Sequence, residues 1–224
     1  VSPRSPRYVR AVLWDMDGTL IDSQHFWDEA FERRCLARGG TVTPEQVTEL
    51  TGTSIRRTYE LIAATGATRD ADDPATAEVF AEMAADVRTA VTQSPPILPG
   101  AREITSTLLQ AGLAQVIVTQ SPRPIVEAVA HALGDVFVGL VTGDDGLPGK
   151  PTPAPYAAAM EMLELSADEC VAVEDSATGA ASARSNNLRV IQVGGDKHFP
   201  ADPGLTVVDS LAAVTPHLLL WAEP

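Results

Sequence analysis

Asp15 and Asp17 close a short apolar run, Val9, Ala11, Val12, Leu13 and Trp14, and stand directly before Gly18. Two carboxylates so close cannot both ionise cheaply without a cation, so the pair either binds a metal or keeps one proton. Either state suits phosphoryl transfer. A second acidic pair, Glu174 and Asp175, ends another apolar run, Val171-Ala172-Val173; with Ser176 following, it also reads as the start of a capped helix with acids near its amino terminus. Thr119-Gln120-Ser121 follows the run Gln115-Val116-Ile117-Val118 and precedes Pro122, where hydroxyl and amide donors form either a phosphate cradle or a plain helix cap. Lys150, in Gly149-Lys150-Pro151-Thr152-Pro153, is one of only two lysines beside fourteen arginines. A compact ammonium can bridge a carboxylate and a phosphate where a guanidinium imposes another geometry; a solvated loop lysine is the other reading.

These residues need elements that bring four distant segments together. In open parallel α/β sheets ligands sit outside the carboxyl ends of the strands, strand periodicity sends Asp15 and Asp17 to one side, and Gly18 lets the backbone turn away. After the first strand the pattern is helical over 26–38, 44–51, 54–65 and 74–92, and it stops at the proline cluster Ser94-Pro95-Pro96-Ile97-Leu98-Pro99. Beyond it, strands at 114–119, 137–142, 171–174, 188–193 and 205–208 alternate with helices at 101–111, 123–133, 153–163 and 177–186. The pattern predicts a doubly wound parallel α/β sheet, a Rossmann-like core from residues 1–22 and 95–224, with an all-helical insertion over 23–94.

A chain of 224 residues suits one large domain or a core plus a smaller module. Its net charge of −14 disfavours DNA or RNA, while a small phosphorylated metabolite can be met locally by a metal ion, a lysine and helix amino termini. No apolar stretch has membrane-spanning length, and residues 1–10 lack the hydrophobic core of a signal peptide, so a cytoplasmic monomer with no membrane partner is expected. Cys35 and Cys170 have no histidine at ligand spacing and read as buried apolar side chains rather than a disulfide or a zinc site.

The segments Asp15-Met16-Asp17-Gly18-Thr19, Leu20-Ile21-Asp22-Ser23, Thr119, Gly149-Lys150-Pro151-Thr152-Pro153 and Glu174-Asp175 resemble, in order and spacing, the four motifs of the haloacid dehalogenase superfamily, in its phosphatase and β-phosphoglucomutase-like branch. Gln120 departs from the asparagine common there. The resemblance implies Asp15 as nucleophile, Asp17 as general acid and base, and Thr119, Gln120 and Lys150 as phosphate-binding groups. It implies Mg²⁺ held by Asp15, the backbone carbonyl of Asp17, Asp175, and Glu174 directly or through water. It also makes 23–94 a cap that selects substrate.

Thr51-Gly52-Thr53-Ser54-Ile55-Arg56-Arg57 resembles the family's cap substrate loop, which makes Arg56 the candidate contact and Arg57 the alternate, unless both decorate an exposed helix face. His25 and Trp27, at the cap entrance, could pack against a sugar or base, though Trp27 also reads as a cap-core aromatic. Tyr59, Phe80 and Met83 read as helix-packing residues. Three functions compete: a phosphatase, a sugar phosphomutase and a non-catalytic phosphate-binding module. The mutases that this chain resembles carry a histidine where Trp27 falls and a cap lysine, whereas no lysine lies between 23 and 92. The expectation is therefore a Mg²⁺-dependent phosphatase acting on a sugar phosphate or a phosphorylated nucleoside or C-nucleoside.

Overall fold

Ala11, Val12, Leu13 and Trp14 are all fully buried, as a strand covered on both faces must be, and they form β1 (Ala11–Trp14) at the centre of a six-stranded sheet. The computed structural model describes residues 9–51, 53–194 and 204–220, so the amino-terminal tail falls outside it. The other strands are β2 (Ala114–Val118), β3 (Gly139–Val141), β4 (Cys170–Glu174), β5 (Arg189–Val193) and β6 (Leu205–Val208). All neighbours pair in parallel, in the order β3-β2-β1-β4-β5-β6, which is the doubly wound topology expected. The direction of winding reverses between β1 and β4, and a crevice opens there at the carboxyl ends of the strands.

Period-two alternation sorts the side chains. Val12 and Trp14 of β1, with Val171 and Val173 of β4, join one apolar layer; Ala11, Leu13, Cys170 and Ala172 join the other. The second layer is closed by α7 (Ala154–Leu163) and α8 (Ala177–Arg184), whose small residues Ala159, Ala180 and Ala183 let the helices approach closely. β3 is shorter than its apolar run. It is an edge strand, and Met162 of α7 packs directly over Gly139, where a Cβ would collide with the sulfur.

Between β1 and α5 (Ala101–Gln110) lie α1 (Gln24–Ala37), α2 (Pro44–Leu50), α3 (Ile55–Ala64) and α4 (Pro74–Gln93). Their starts follow from local chemistry: Thr43 and Gln46 form a capping box, the Ser54 hydroxyl accepts from the Arg57 amide, and the Asp73 carboxylate accepts from the Ala75 amide ahead of Pro74. Phe31, Ile62, Val79 and Met83 of these helices belong to the same apolar layer as Trp14.

α1 and α4 are also tied by charge. The Arg34 guanidinium grips Asp86 through two bonds of 2.6 Å and reaches Glu82 at 3.1 Å, while Arg38 grips Glu82 at 2.9 and 3.0 Å. The Arg34 hydrogen bond holds the Asp86 carboxyl below its ordinary 3.8, so this stabilisation is present above that value and lost as pH falls through the depressed one. Arg34→Met is expected to cost about 1 kcal/mol at pH 7, or roughly 2–4 °C in Tm, with the deficit shrinking as melts are taken below about pH 3.5.

Candidate active site

The register Trp14↔Val173 sets the next residue of each strand, Asp15 and Glu174, side by side, and the Asp15 amide donates to the Val173 carbonyl at 2.9 Å. By alternation both side chains fall on the layer that holds α7. Lys150 and Tyr156 meet them there. The Lys150 ammonium donates to Asp15 Oδ1 at 2.7 Å and Glu174 Oε1 at 2.6 Å, and the Tyr156 hydroxyl donates to Glu174 Oε1 at 2.6 Å. All four are buried. Burial works against the Lys150 charge, yet the two carboxylates outweigh it and hold the ammonium well above its ordinary range. Burial, reinforced by Asp15, raises the Glu174 carboxyl despite Lys150 and Tyr156. Tyr156 is held protonated by burial and by the Glu174 charge.

Asp17 reaches the same crevice by another route. β1 ends at Trp14, so strand alternation does not extend to Asp17; the turn at Gly18, with φ +85°, carries it there. Its Oδ1 accepts from the Ser23 hydroxyl, and its Oδ2 accepts from Thr119 at 3.1 Å and Ser121 at 2.7 Å. Burial raises the Asp17 carboxyl above its ordinary value and the Asp15 charge adds to this, against the three hydroxyls. Asp15 and Asp17 thus lie in unlike environments, one bonded to an ammonium and the other to hydroxyls.

The acids also form a cluster that could hold a cation. Carboxylate oxygens of Asp15, Glu174 and Asp175 lie within 4.8 Å of one another. Asp15 Oδ2 is buried and accepts no hydrogen bond from the described residues, so it has coordinating capacity to spare. An all-oxygen set of this kind fits a hard divalent ion. The Asp17 carboxylate lies outside that trio, being taken up by hydroxyls. Two glycines clear the space: a Cβ on Gly18 would overlap Asp175 Oδ2, and one on Gly179 would overlap the Glu174 carboxyl. Ser176 does cap α8, accepting from the Gly179 amide at 3.0 Å, so the helix-cap and acidic-pair readings of this segment hold together. Gly18→Ala is expected to weaken divalent-ion binding by about tenfold or more, through both the overlap and the positive φ, read as a rightward shift in a Mn²⁺ titration.

A cavity of about 410 Å³ opens above these acids, near the lower end of the ~300–1,000 Å³ usual for small-molecule sites. Asp15, Asp17, Lys150 and Asp175 form its floor, with Thr119 and Gln120 beside them. Its opposite wall comes from the inserted segment, through Trp27, Ile55, Thr58 and Phe80 of its helices and Thr53 of the loop between α2 and α3. Trp27 is therefore in the cavity, stacked on Phe80 at 6.0 Å and 17°. Phe80 packs among helices as expected and also lines the site.

Arg56 and His25 do not line this cavity. Ser54 caps α3 so that Ile55 and Thr58 turn inward, which sends Arg56 and Arg57 to the outer face. There Arg56 pairs with Asp72 and Arg57 bonds Glu49 and Glu60 at 2.7 Å each. Arg56 borders an adjoining cavity of about 290 Å³ that shares Ile55, Thr119 and Gln120 with the first. His25 packs its ring against Phe26, 3.9 Å between centroids. The Gln120 side chain lies against Gly149, where a Cβ would overlap its Oε1, so it packs on the segment that carries Lys150. The partners of the central acids that sequence reading missed are Tyr156, Ser23 and Ser121. Ser23 and Ser121 stood inside quoted motifs, while Tyr156, in the apolar α7, carried no signal beyond that of a core aromatic.

The profile of haloacid dehalogenase-like hydrolases matches residues 9–187. The chain belongs to that hydrolase family. Among its relatives, hexitol phosphatase B of Escherichia coli K12 is 31% identical over 191 residues, spanning 84% of this chain and 85% of its own. The crystal structure of CbbY from Rhodobacter sphaeroides in complex with phosphate superposes with a TM-score of 0.77 at 26% identity, over 92% of this chain and 96% of that one. β-Phosphoglucomutase from Clostridium difficile shares the fold, with a TM-score of 0.80 at 18% identity over 93% and 94% of the two chains. This haloacid dehalogenase-like hydrolase thus has a phosphatase among its sequence relatives and shares its fold with a mutase.

Proposed function

We propose that the protein is a Mg²⁺-dependent phosphatase that hydrolyses a small phosphomonoester, a sugar phosphate or a phosphorylated nucleoside, through an aspartyl-phosphate. The observation that carries this reading is the asymmetry of Asp15: one oxygen is held by Lys150 and the other is buried without a donor among the described residues, at the floor of a cavity that Asp17 also lines. Asp15 attacks phosphorus in line. Asp17, whose carboxyl burial raises above its ordinary value, gives a proton to the leaving alkoxide and then takes one from the water that opens the intermediate. The Lys150 ammonium faces the phosphoryl oxygens as charge builds on them, and Thr119 and Gln120 border the phosphate. Asp15, Asp175, Glu174 and the backbone carbonyl of Asp17 would hold Mg²⁺, whose chemistry when bound is to neutralise charge on the transferring group. Helices α1 to α4 act as the cap over the core and choose the substrate. A relative named for hexitol phosphatase activity and a CbbY structure containing phosphate support the same assignment.

The test is phosphate release from a panel of sugar phosphates and nucleoside monophosphates, with Mg²⁺ and with chelator. Release that needs Mg²⁺ and is confined to a few compounds is expected. Isomerised sugar phosphate without free phosphate would replace this reading with a mutase.

A further inference from the structure

The floor and the opposite wall of the cavity differ in charge. Among the described residues that line it, Lys150 is the one base, and it sits at the floor between Asp15 and Glu174, committed to the phosphate end. No arginine, histidine or second lysine lines the rest. Arg56 and Arg57, the nearest candidates in sequence, are turned outward into pairs with Asp72, Glu49 and Glu60. What faces the far end of a bound substrate is a stacked aromatic pair, Trp27 and Phe80, the apolar Leu50 and Ile55, and the hydroxyls of Thr53 and Thr58. Asp22, exposed and also in the lining, adds a negative charge to those at the floor.

We infer that this site is built for a monophosphate whose remaining body is an uncharged polyol, and that it rejects compounds carrying a second anionic group. The inference rests on the phosphatase reading for its floor and on the wall residues for its selectivity. A flat aromatic face suits the C–H surface of a sugar or an open polyol chain; the Thr53 hydroxyl can donate to or accept from its hydroxyls, and the Thr58 hydroxyl, which donates to the Ser54 carbonyl, can accept from them. A second phosphate or a carboxylate would lose its hydration against Trp27, Phe80 and Ile55 and would meet Asp22 with no arginine, histidine or further lysine among the described lining residues to balance it. A phosphoryl group moved between two hydroxyls of one sugar passes through a bisphosphate, so the same wall is also ill-suited to a mutase.

The test uses two ligands that differ at a single carbon: D-glucitol 6-phosphate, ending in CH₂OH, and 6-phospho-D-gluconate, ending in a carboxylate. Binding is measured by calorimetry on Asp15→Asn with Mg²⁺, where neither compound is consumed, and phosphate release is measured on the unmutated enzyme with p-nitrophenyl phosphate as a generic control. Glucitol 6-phosphate is expected to bind at least about tenfold more tightly, and Thr53→Lys is expected to shrink that ratio by bringing a cation to the wall. Equal binding, preference for the carboxylate, or no measurable binding of either compound overturns the inference. Failure of the phosphatase reading shows separately, as absence of Mg²⁺-dependent release from all three compounds while the binding preference is still read.

Discussion

Asp15→Asn is expected to reduce turnover by about 10⁴-fold or more, because an amide of the same shape cannot attack phosphorus. The substitution is well placed to isolate chemistry from folding. Asp15 sits at the end of β1, where its backbone amide already bonds the Val173 carbonyl, and Lys150 keeps its 2.6 Å bond to Glu174 when the Asp15 charge is lost. The ammonium therefore remains paired, and the Tm should move by only a few degrees. Removing one of the negative charges at the cavity floor also lowers repulsion toward the incoming phosphate, so at Mg²⁺ concentrations high enough to offset the weaker amide ligand substrate should bind the variant at least as tightly as it binds the unmutated enzyme. The pattern expected is thus lost kcat with undiminished affinity, read from phosphate release beside calorimetric binding. Retention of a tenth of the activity would remove Asp15 from the nucleophile's role.

Much of this arrangement can be read from the chain before any coordinates. The apolar runs locate β1, β2, β4, β5 and β6 to within a residue or two, and period-two alternation from Ala11 and Cys170 already sends Asp15 and Glu174 to one layer. What the pattern withholds is whatever depends on an element's rotation or on a partner brought from elsewhere. Tyr156 meets Glu174 only because α7 lies over that layer, and Ser23, at the start of the insertion, and Ser121, just after β2, converge on Asp17 from distant parts of the chain. α3 is the instructive case. Its stripe Ile55, Thr58, Leu61 and Ile62 repeats at helical spacing and is the face it turns inward, so the outward phase of Arg56 was legible. Choosing Arg56 by its charge gave weight to what would suit a phosphate over what the helix can present.

Lys150→Met is the second substitution with a large expected effect, and it acts on stability as well as rate. The methionine keeps most of the apolar stem over the Tyr156 ring but leaves Asp15 and Glu174 buried without their shared cation. With no ammonium at the phosphoryl oxygens, kcat should fall by about 10²–10³-fold. In the folded state the Glu174 carboxyl, already raised by burial, then loses the ammonium that opposes that rise, so its folded value lies further above its unfolded one. Stability is therefore full well below the unfolded glutamate value of about 4.3, where this carboxyl is protonated in either state, and declines as pH rises through that value toward the raised folded one. Breaking a buried pair costs about 3–5 kcal/mol, and uptake of one proton holds the loss near the lower figure, equivalent to roughly 6–12 °C in Tm at pH 7. Millimolar Mg²⁺, bound by Asp15, Glu174 and Asp175, should return part of that loss at pH 7 and little at pH 4, where protons compete for the same oxygens. Melts at the two pH values, each with and without the ion, read all of this. A deficit that is the same at both would mean that Lys150 contributes packing rather than charge.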